Sequence, residues 1–371
     1  PSGHLACCSA NLPTSSDIDP AGDDGADDNP TKQFGILTYT GNSTTGQSLT
    51  GLGFKPDLIW AKMRSSSQDN QLFDSSRMNT RGTPTPFMLR SNATDAEIDD
   101  QAQGNNNPMI ASFDTDGFTL GTSGSGPNDN NRTYVAWCWR ANGGTIVTNN
   151  DGTMTSNVQA NTKAGFSIVT YTGDGSDGTV GHGLSKAPEY VISKRRDGTG
   201  SWYTYHVGAG VGYVELNSNI TFQAGSVPFG SSAPTASVVG ATSANRVSGQ
   251  NFIYYCWHSV EGFSKFGSYE GNSNNNGSFI YLGFRAKYFF LKEIDVNDDW
   301  VAYDTARSTF NPVQKVLRYD STGAEFDGSS RAVDVTSNGL KIRTSNNTIN
   351  ASTTYIYGAW GDASAKYNNT F

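Results

Sequence analysis

Charge is scarce in this chain, and cysteine and histidine are scarcer. Only 16% of its 371 residues are charged, and they leave a formal net charge of -8. No dense Lys/Arg cluster occurs, so the basic patch that would displace counterions from phosphates is missing and no nucleic-acid partner is expected. No run approaches the ~18 apolar residues of a spanning helix, so no membrane insertion is expected either. The sequence begins at Pro1 without the charged start and apolar stretch of a signal peptide, which points to processing or to a longer gene product. Four cysteines are too few to staple a chain of this length, so apolar cores must carry its stability.

Catalytic signatures are equally thin. His4, His182, His206 and His258 are scattered, and no His-x-x-x-His or Cys-x-x-Cys spacing marks zinc. There is no Gly-x-Ser-x-Gly elbow and no phosphate-cradling glycine loop. Glutamate occurs only seven times, and most acidic residues are Asp in loops. Glycoside hydrolysis needs two carboxylates at a fixed separation, and loop aspartates meet that by chance. A polysaccharide hydrolase is therefore the least favoured function, and no catalytic or cofactor-binding residue is assigned.

What the chain has is turn chemistry and aromatics. Its 42 glycines, with abundant Asn, Ser and Thr, supply turns, while 12% aromatic content argues against disorder. It also repeats itself. TYTGN (Thr38 to Asn42) returns as TYTGD (Thr170 to Asp174) and SYEGN (Ser268 to Asn272). GFKPDLIWAK (Gly53 to Lys62) returns as GLSKAPEYVISK (Gly183 to Lys194) and GFRAKYFFLK (Gly283 to Lys292). YVAWCW (Tyr134 to Trp139) returns as FIYYCW (Phe252 to Trp257) and YIYGAW (Tyr355 to Trp360). Tyr39 and Tyr171 are as far apart as Lys62 and Lys194, and Tyr171 and Tyr269 as far apart as Lys194 and Lys292. Two landmarks kept in step define three repeats, at about 34–148, 149–262 and 263–371, each domain-sized.

Within a repeat, short β-rich runs alternate with Gly/Asn/Ser loops, and long helical periodicity is absent. The expected fold is all-β: three tandem antiparallel β-sandwiches of jelly-roll type behind an extended N-terminal arm, residues 1–33. DGFTL (Asp116 to Leu120) and NGLKI (Asn338 to Ile342) read as hairpins whose Asx-Gly pair makes the turn.

Trp139, Trp257 and Trp360 end the third block. A ring-stacking sugar site is one reading, but the surrounding alternation favours a core anchor, one for each sandwich. Cys138 and Cys256 share a position that Ala359 fills in the third repeat, which says small and buried. His206 aligns with Asp74 and Asp304, and that exchange suggests a polar strand end. Trp202, Tyr203 and Trp300 are the candidate sugar-binding aromatics, although Trp202 and Trp300 sit at equivalent positions and suit a core as well. Eight Asn-x-Ser/Thr sequons are close to chance for this composition.

The arm pairs the apolar run around Leu5, Ala6, Cys7 and Cys8 with a tail rich in Asp. Asp23, Asp24, Asp27 and Asp28 could supply oxygens to calcium, although a solvated acidic linker is the favoured reading. Cys7 and Cys8 could pair together, bond another chain or fill apolar pockets. Such an arm cannot order alone. It is expected to dock on its own first domain or to add a strand to a neighbouring copy, and the second option would propagate a filament.

The blocks TYTGN, GFKPDLIWAK, SFDTDGFTLG (Ser112 to Gly121) and YVAWCWRA (Tyr134 to Ala141) resemble the repeat domains of phage tail-fibre and other virion structural proteins from aquatic metagenomes. The resemblance covers about residues 34–371, and block order agrees as well as content. It implies a structural or adhesive surface role, on a virion or outside a cell, and transfers no catalytic residues. Three repeats, a distinct arm and no coiled coil set this chain apart, so a stand-alone fibril is also open. The expected function is a non-enzymatic fibre subunit whose partners are copies of itself. A glycan-binding adhesin is the alternative.

Overall fold

Short β-rich runs build the first sandwich. Its strands are β1 (Phe34–Thr40), β2 (Gln47–Thr50), β3 (Leu58–Met63), β4 (Gln71–Met78), β5 (Pro86–Arg90), β6 (Ile110–Asp114), β7 (Gly117–Leu120) and β8 (Thr133–Trp139). One antiparallel sheet has the order β1-β8-β3-β4-β5, and the other β2-β7-β6. The central strands β3 and β8 are apolar on both faces. Ile59, Ala61, Ala136 and Cys138 point between the two sheets, while Leu58, Trp60, Val135, Trp137 and Trp139 point the other way. A sheet apolar on both faces must be covered on both, which a lone two-layer sandwich cannot do.

The computed structural model describes residues 32–80, 84–99, 108–122, 126–225 and 227–361. Leu5, Ala6, Cys7 and Cys8, and the candidate calcium residues Asp23, Asp24, Asp27 and Asp28, lie outside them. Among the described residues the fold is all-β, and its one α-helix is the turn Asn347–Asn350.

The same strand order returns twice. In the second sandwich Phe166–Thr172, Asn251–Trp257, Tyr190–Arg195, Tyr203–His206 and Gly210–Glu215 form the large sheet, and Gly178–Gly181 with Val238–Ala241 the small one. Ser156–Asn161 and Val147–Asn149 extend this large sheet, so Val147 and Thr148 belong to it rather than to the first repeat. In the third, Ser264–Glu270, Thr354–Gly361, Ala286–Glu293, Trp300–Asp304 and Lys315–Arg318 are followed by the edge pair Phe326–Asp327. Its small sheet is Phe279–Tyr281, Gly339–Ile342 and Val333–Thr336. The register agrees throughout: Phe34 lies opposite Trp139, Phe166 opposite Trp257 and Ser264 opposite Trp360.

The hairpins differ from expectation by one residue. Asp114 pairs with Gly117 and Thr336 with Gly339, so the Asx residue ends the two-residue turn and glycine opens the returning strand. Close approach requires that glycine. At Gly117 (φ +148°) a Cβ would sit 1.9 Å from the Leu49 carbonyl oxygen of the adjacent strand.

The covering for the second face comes from the other repeats. Each sandwich has its own core between its sheets, and a fourth core takes residues from all three large sheets. At its centre Trp139, Trp257 and Trp360 contact one another edge to face, with ring centroids 6.0 Å, 5.6 Å and 6.1 Å apart. The three Trp are buried, as core anchors should be. They anchor the junction of the three sandwiches, however, and not each sandwich separately.

Candidate functional site

Two sets of polar residues that recur at equivalent positions converge on the contacts between sandwiches, whereas the recurrent Tyr39, Tyr171 and Tyr269 bond within their own sandwiches. Lys62, Lys194 and Lys292 occupy the same place in the third strand of their repeats, and all three are fully buried. An ammonium has three donors and no acceptor, so burial obliges it to find carbonyls. Each finds the carbonyl of its own neighbour in sequence, Met63, Arg195 or Glu293. Each also reaches into another sandwich: Lys62 to Thr322 at 3.0 Å, Lys194 to Thr94 at 3.1 Å and Lys292 to Asn219 at 3.5 Å. Burial disfavours the charged form and lowers each lysine from 10.5 to about 8. They therefore remain largely protonated at neutral pH.

A second ring of contacts lies close by. Asn70 donates its side-chain amide to Arg318 and Ser321 carbonyls at 2.9 Å and 3.0 Å. At the equivalent position the Trp202 indole donates to Arg90 and Ala93, and the Trp300 indole to Glu215, all at 2.9 Å. The direction matches that of the lysines: first sandwich to third, second to first, third to second. A heterologous contact repeated three times with the same sense closes a ring.

A further set runs the opposite way. Asp74 accepts from the Tyr255 hydroxyl at 2.6 Å, and Asp304 from the Trp137 indole at 2.9 Å. Tyr255 and Trp137 occupy equivalent places in the closing strands, where the third repeat has Gly358. There is no side chain to donate there, because a Cβ on Gly358 would lie 2.4 Å from Phe290 Cε1. The second repeat answers with His206, whose Nε2 donates to the Tyr357 carbonyl at 3.0 Å while its Nδ1 accepts from the Gly208 amide. His206 is buried, and burial lowers its pKa to about 3, so it stays neutral. His206 and Asp304 do end their strands, as expected, while Asp74 lies within its own; all three are buried and form the pivot of each contact.

Around these pivots the charges change as a set. Arg77 pairs with Asp74 at 2.7 Å and Glu97 at 3.2 Å, and Glu97 also holds Arg196 of the second repeat at 3.0 Å. Arg307 pairs with Asp304 at 2.5 Å and Glu325 at 3.1 Å, and Glu325 also holds Arg64 of the first repeat at 2.9 Å. At the remaining contact the corresponding residues are His206, Ala209, Phe222 and Ile294, joined through the Phe222 amide and the Ile294 carbonyl at 2.9 Å. Removing one member of a buried ionic network strands its partners, so all four positions have to change together.

A family described as a domain of unknown function, DUF7483, matches residues 29–364. The chain belongs to the DUF7483 family. No curated protein and no solved structure matches it. The family match spans all three repeats, as does the closed ring of contacts.

The remaining sequence candidates fall into place around this ring. Trp202 and Trp300 are buried between sandwiches and present no ring to solvent, while Tyr203 is half-buried and packs edge to face on Tyr213 at 5.2 Å. Cys138 and Cys256 are free and buried, and burial pushes both thiols up, as befits small core residues. His182 is buried with its ring bonded to the Thr235 carbonyl and the Leu184 amide. Among the described residues no group of three or more His, Cys, Asp or Glu is placed to hold a metal. The lysines were visible in the sequence only as repeat landmarks. Their invariance across three repeats, in runs that are otherwise apolar, was the available signal.

Proposed function

We propose that this chain is a non-enzymatic structural subunit of an extracellular or virion fibre, assembling with copies of itself through its N-terminal arm. One observation carries the reading. Six buried polar side chains that recur in register, Lys62, Lys194 and Lys292 with Asp74, His206 and Asp304, bond from one sandwich to another. A chain that puts its recurrent polar chemistry into a closed, triply sealed block suits a load-bearing role. The resemblance of its blocks to virion fibre repeats agrees with this.

The ring also constrains how a fibre grows. Its head-to-tail contacts return to their start after three sandwiches, so they do not propagate. Growth then falls to the arm, residues 1–33, and to outward surfaces. Electron microscopy of the full chain and of a variant lacking residues 1–33 tests this. Fibres from the full chain and single blocks from the truncated one are expected. Equal assembly of both would remove the arm from the proposal, and turnover of a polysaccharide lost on changing one Asp or Glu would overturn the non-enzymatic role.

A further inference from the structure

The small sheet of the third sandwich departs from its two counterparts at two solvent-facing positions. In edge strand Phe279–Tyr281 the middle residue, Ile280, is buried in the core, so Phe279 and Tyr281 share the outer face. They are 47% and 60% exposed. Ile280 lies opposite Leu340, Leu49 opposite Phe118, and Val180 opposite Val239, which aligns the three small sheets. At the places of Phe279 and Tyr281 the first repeat has Ser48 and Thr50, and the second has Thr179 and Gly181. Two sandwiches of the same design therefore fold without these aromatics, and packing gives no reason for them in the third.

Register places polar groups beside the rings. Phe279 lies opposite Lys341, which lies opposite Asp334, while Tyr281 lies opposite Gly339, which lies opposite Thr336. These residues form two rows across three strands on one face. Gly339 leaves room for the Phe279 ring, whose Cζ is 2.9 Å from where a Cβ would stand. The Lys265 ammonium, 5.0 Å from the Tyr281 ring centroid and bonded to the Tyr281 carbonyl at 2.8 Å, holds the second ring in place.

We propose that Phe279 and Tyr281 form a sugar-stacking platform, with Lys341, Asp334 and Thr336 as hydroxyl partners, that binds an oligosaccharide. The negative face of an aromatic ring attracts the polarised C–H face of a pyranose. Two rings at i and i+2 stand about 7 Å apart, which suits neighbouring sugar units. A second copy of the chain fits less well, because the two rings expose only about 200 Å² in total against ~800 Å² per partner in a stable association. The platform is independent of the arm and of fibre growth.

The test uses the full chain and the variant Phe279→Ser/Tyr281→Thr, which installs the first repeat's own residues. Both are applied to an array of hexose and N-acetylhexosamine oligosaccharides, and the best binder is titrated by calorimetry. Binding by the native chain, at least tenfold weaker in the variant with unchanged melting temperature, is the expected result. No retained glycan, or equal binding by the variant, overturns the proposal. So does loss of self-association by the variant in sedimentation velocity, since that assigns the face to a second copy. Fibre formation by electron microscopy is read separately and should be unaffected by the variant.

Discussion

His206 Nε2 donates to the Tyr357 carbonyl where Asp74 accepts from Tyr255 and Asp304 accepts from Trp137. The exchange of acceptor for donor follows from Gly358, whose missing side chain leaves a backbone carbonyl as the available partner. The contact between the second and third sandwiches consequently lacks the Asp–Arg–Glu network of the other two and keeps only the Lys292 ammonium. It is joined by the short segment between Trp257 and Ser264, whereas the third and first sandwiches meet without an intervening linker.

His206→Asp should therefore be far more damaging than its alignment suggests. It would bury a carboxylate against a carbonyl oxygen, beside Ala209 and not an arginine. A loss of about 3–5 kcal/mol is expected, the scale of a stranded buried charge. Denaturant unfolding of the variant and the native chain measures it, and a loss below 1 kcal/mol would refute the pivot role.

The three buried lysines make stability depend on pH. Each has a folded pKa of about 8, lowered from 10.5 by burial. Between those values the unfolded chain binds more protons than the folded one, so stability rises with pH across about 8 to 10. Raising pH from 8.5 to 9.5 should add about 1 kcal/mol per lysine. Above pH 10 the buried tyrosines, whose pKa values are raised, oppose the gain. Melting curves at pH 7.5, 8.5 and 9.5 should show the rise, and Lys62→Met/Lys194→Met/Lys292→Met should flatten it.

Asp320 offers a stabilising substitution. Asn92 and Asn217 accept from the backbone amides of Asn70 and Trp202 at 2.7 Å, and Asp320 accepts from the Trp300 amide at the matching place. Burial, with Asp299 nearby, raises Asp320 to about 7. A carboxyl with a raised pKa loses stability as pH climbs from about 4 through 7. Asp320→Asn should leave stability unchanged at pH 4 and add about 1–2 kcal/mol at pH 8. A destabilised variant at pH 8 would show that the charge is needed there.

The shared aromatic core predicts one unfolding transition for all three sandwiches. Calorimetric and van't Hoff enthalpies should agree. Trp257→Ala should cost about 3–5 kcal/mol and lower the single transition without splitting it. Three separable transitions would mean that the junction contributes little.

Much of this architecture was legible in the chain itself. The β-rich runs LIWAK, YVISK and YFFLK mark strands, the matched spacing of Tyr39, Tyr171 and Tyr269 with Lys62, Lys194 and Lys292 marks three equivalent units, and the recurrent Trp139, Trp257 and Trp360 mark a buried ring at each closing strand. That information is local, because a strand's period of two records which side chains turn inward. Residues 1–31 of the arm, with the Asp cluster, lie outside the described residues, while Gln33 at its end is buried and bonded to Arg140 and Asn161.

What lies opposite an inward-facing residue is not local, and there the tertiary structure alone decided. Leu58 and Ile59 are equally apolar in sequence, yet one faces the shared core and the other its own sandwich. Trp202 and Trp300 have the composition of sugar-binding aromatics and the position of interface donors. His206 and Asp304 look interchangeable until the closing strand of another repeat supplies Tyr357 to one and Trp137 to the other. Pattern and spacing thus determined the strands, the repeat and the buried set. The closed ring depends on pairings between residues distant in sequence, and only folding the three sandwiches onto one another brings those partners into contact.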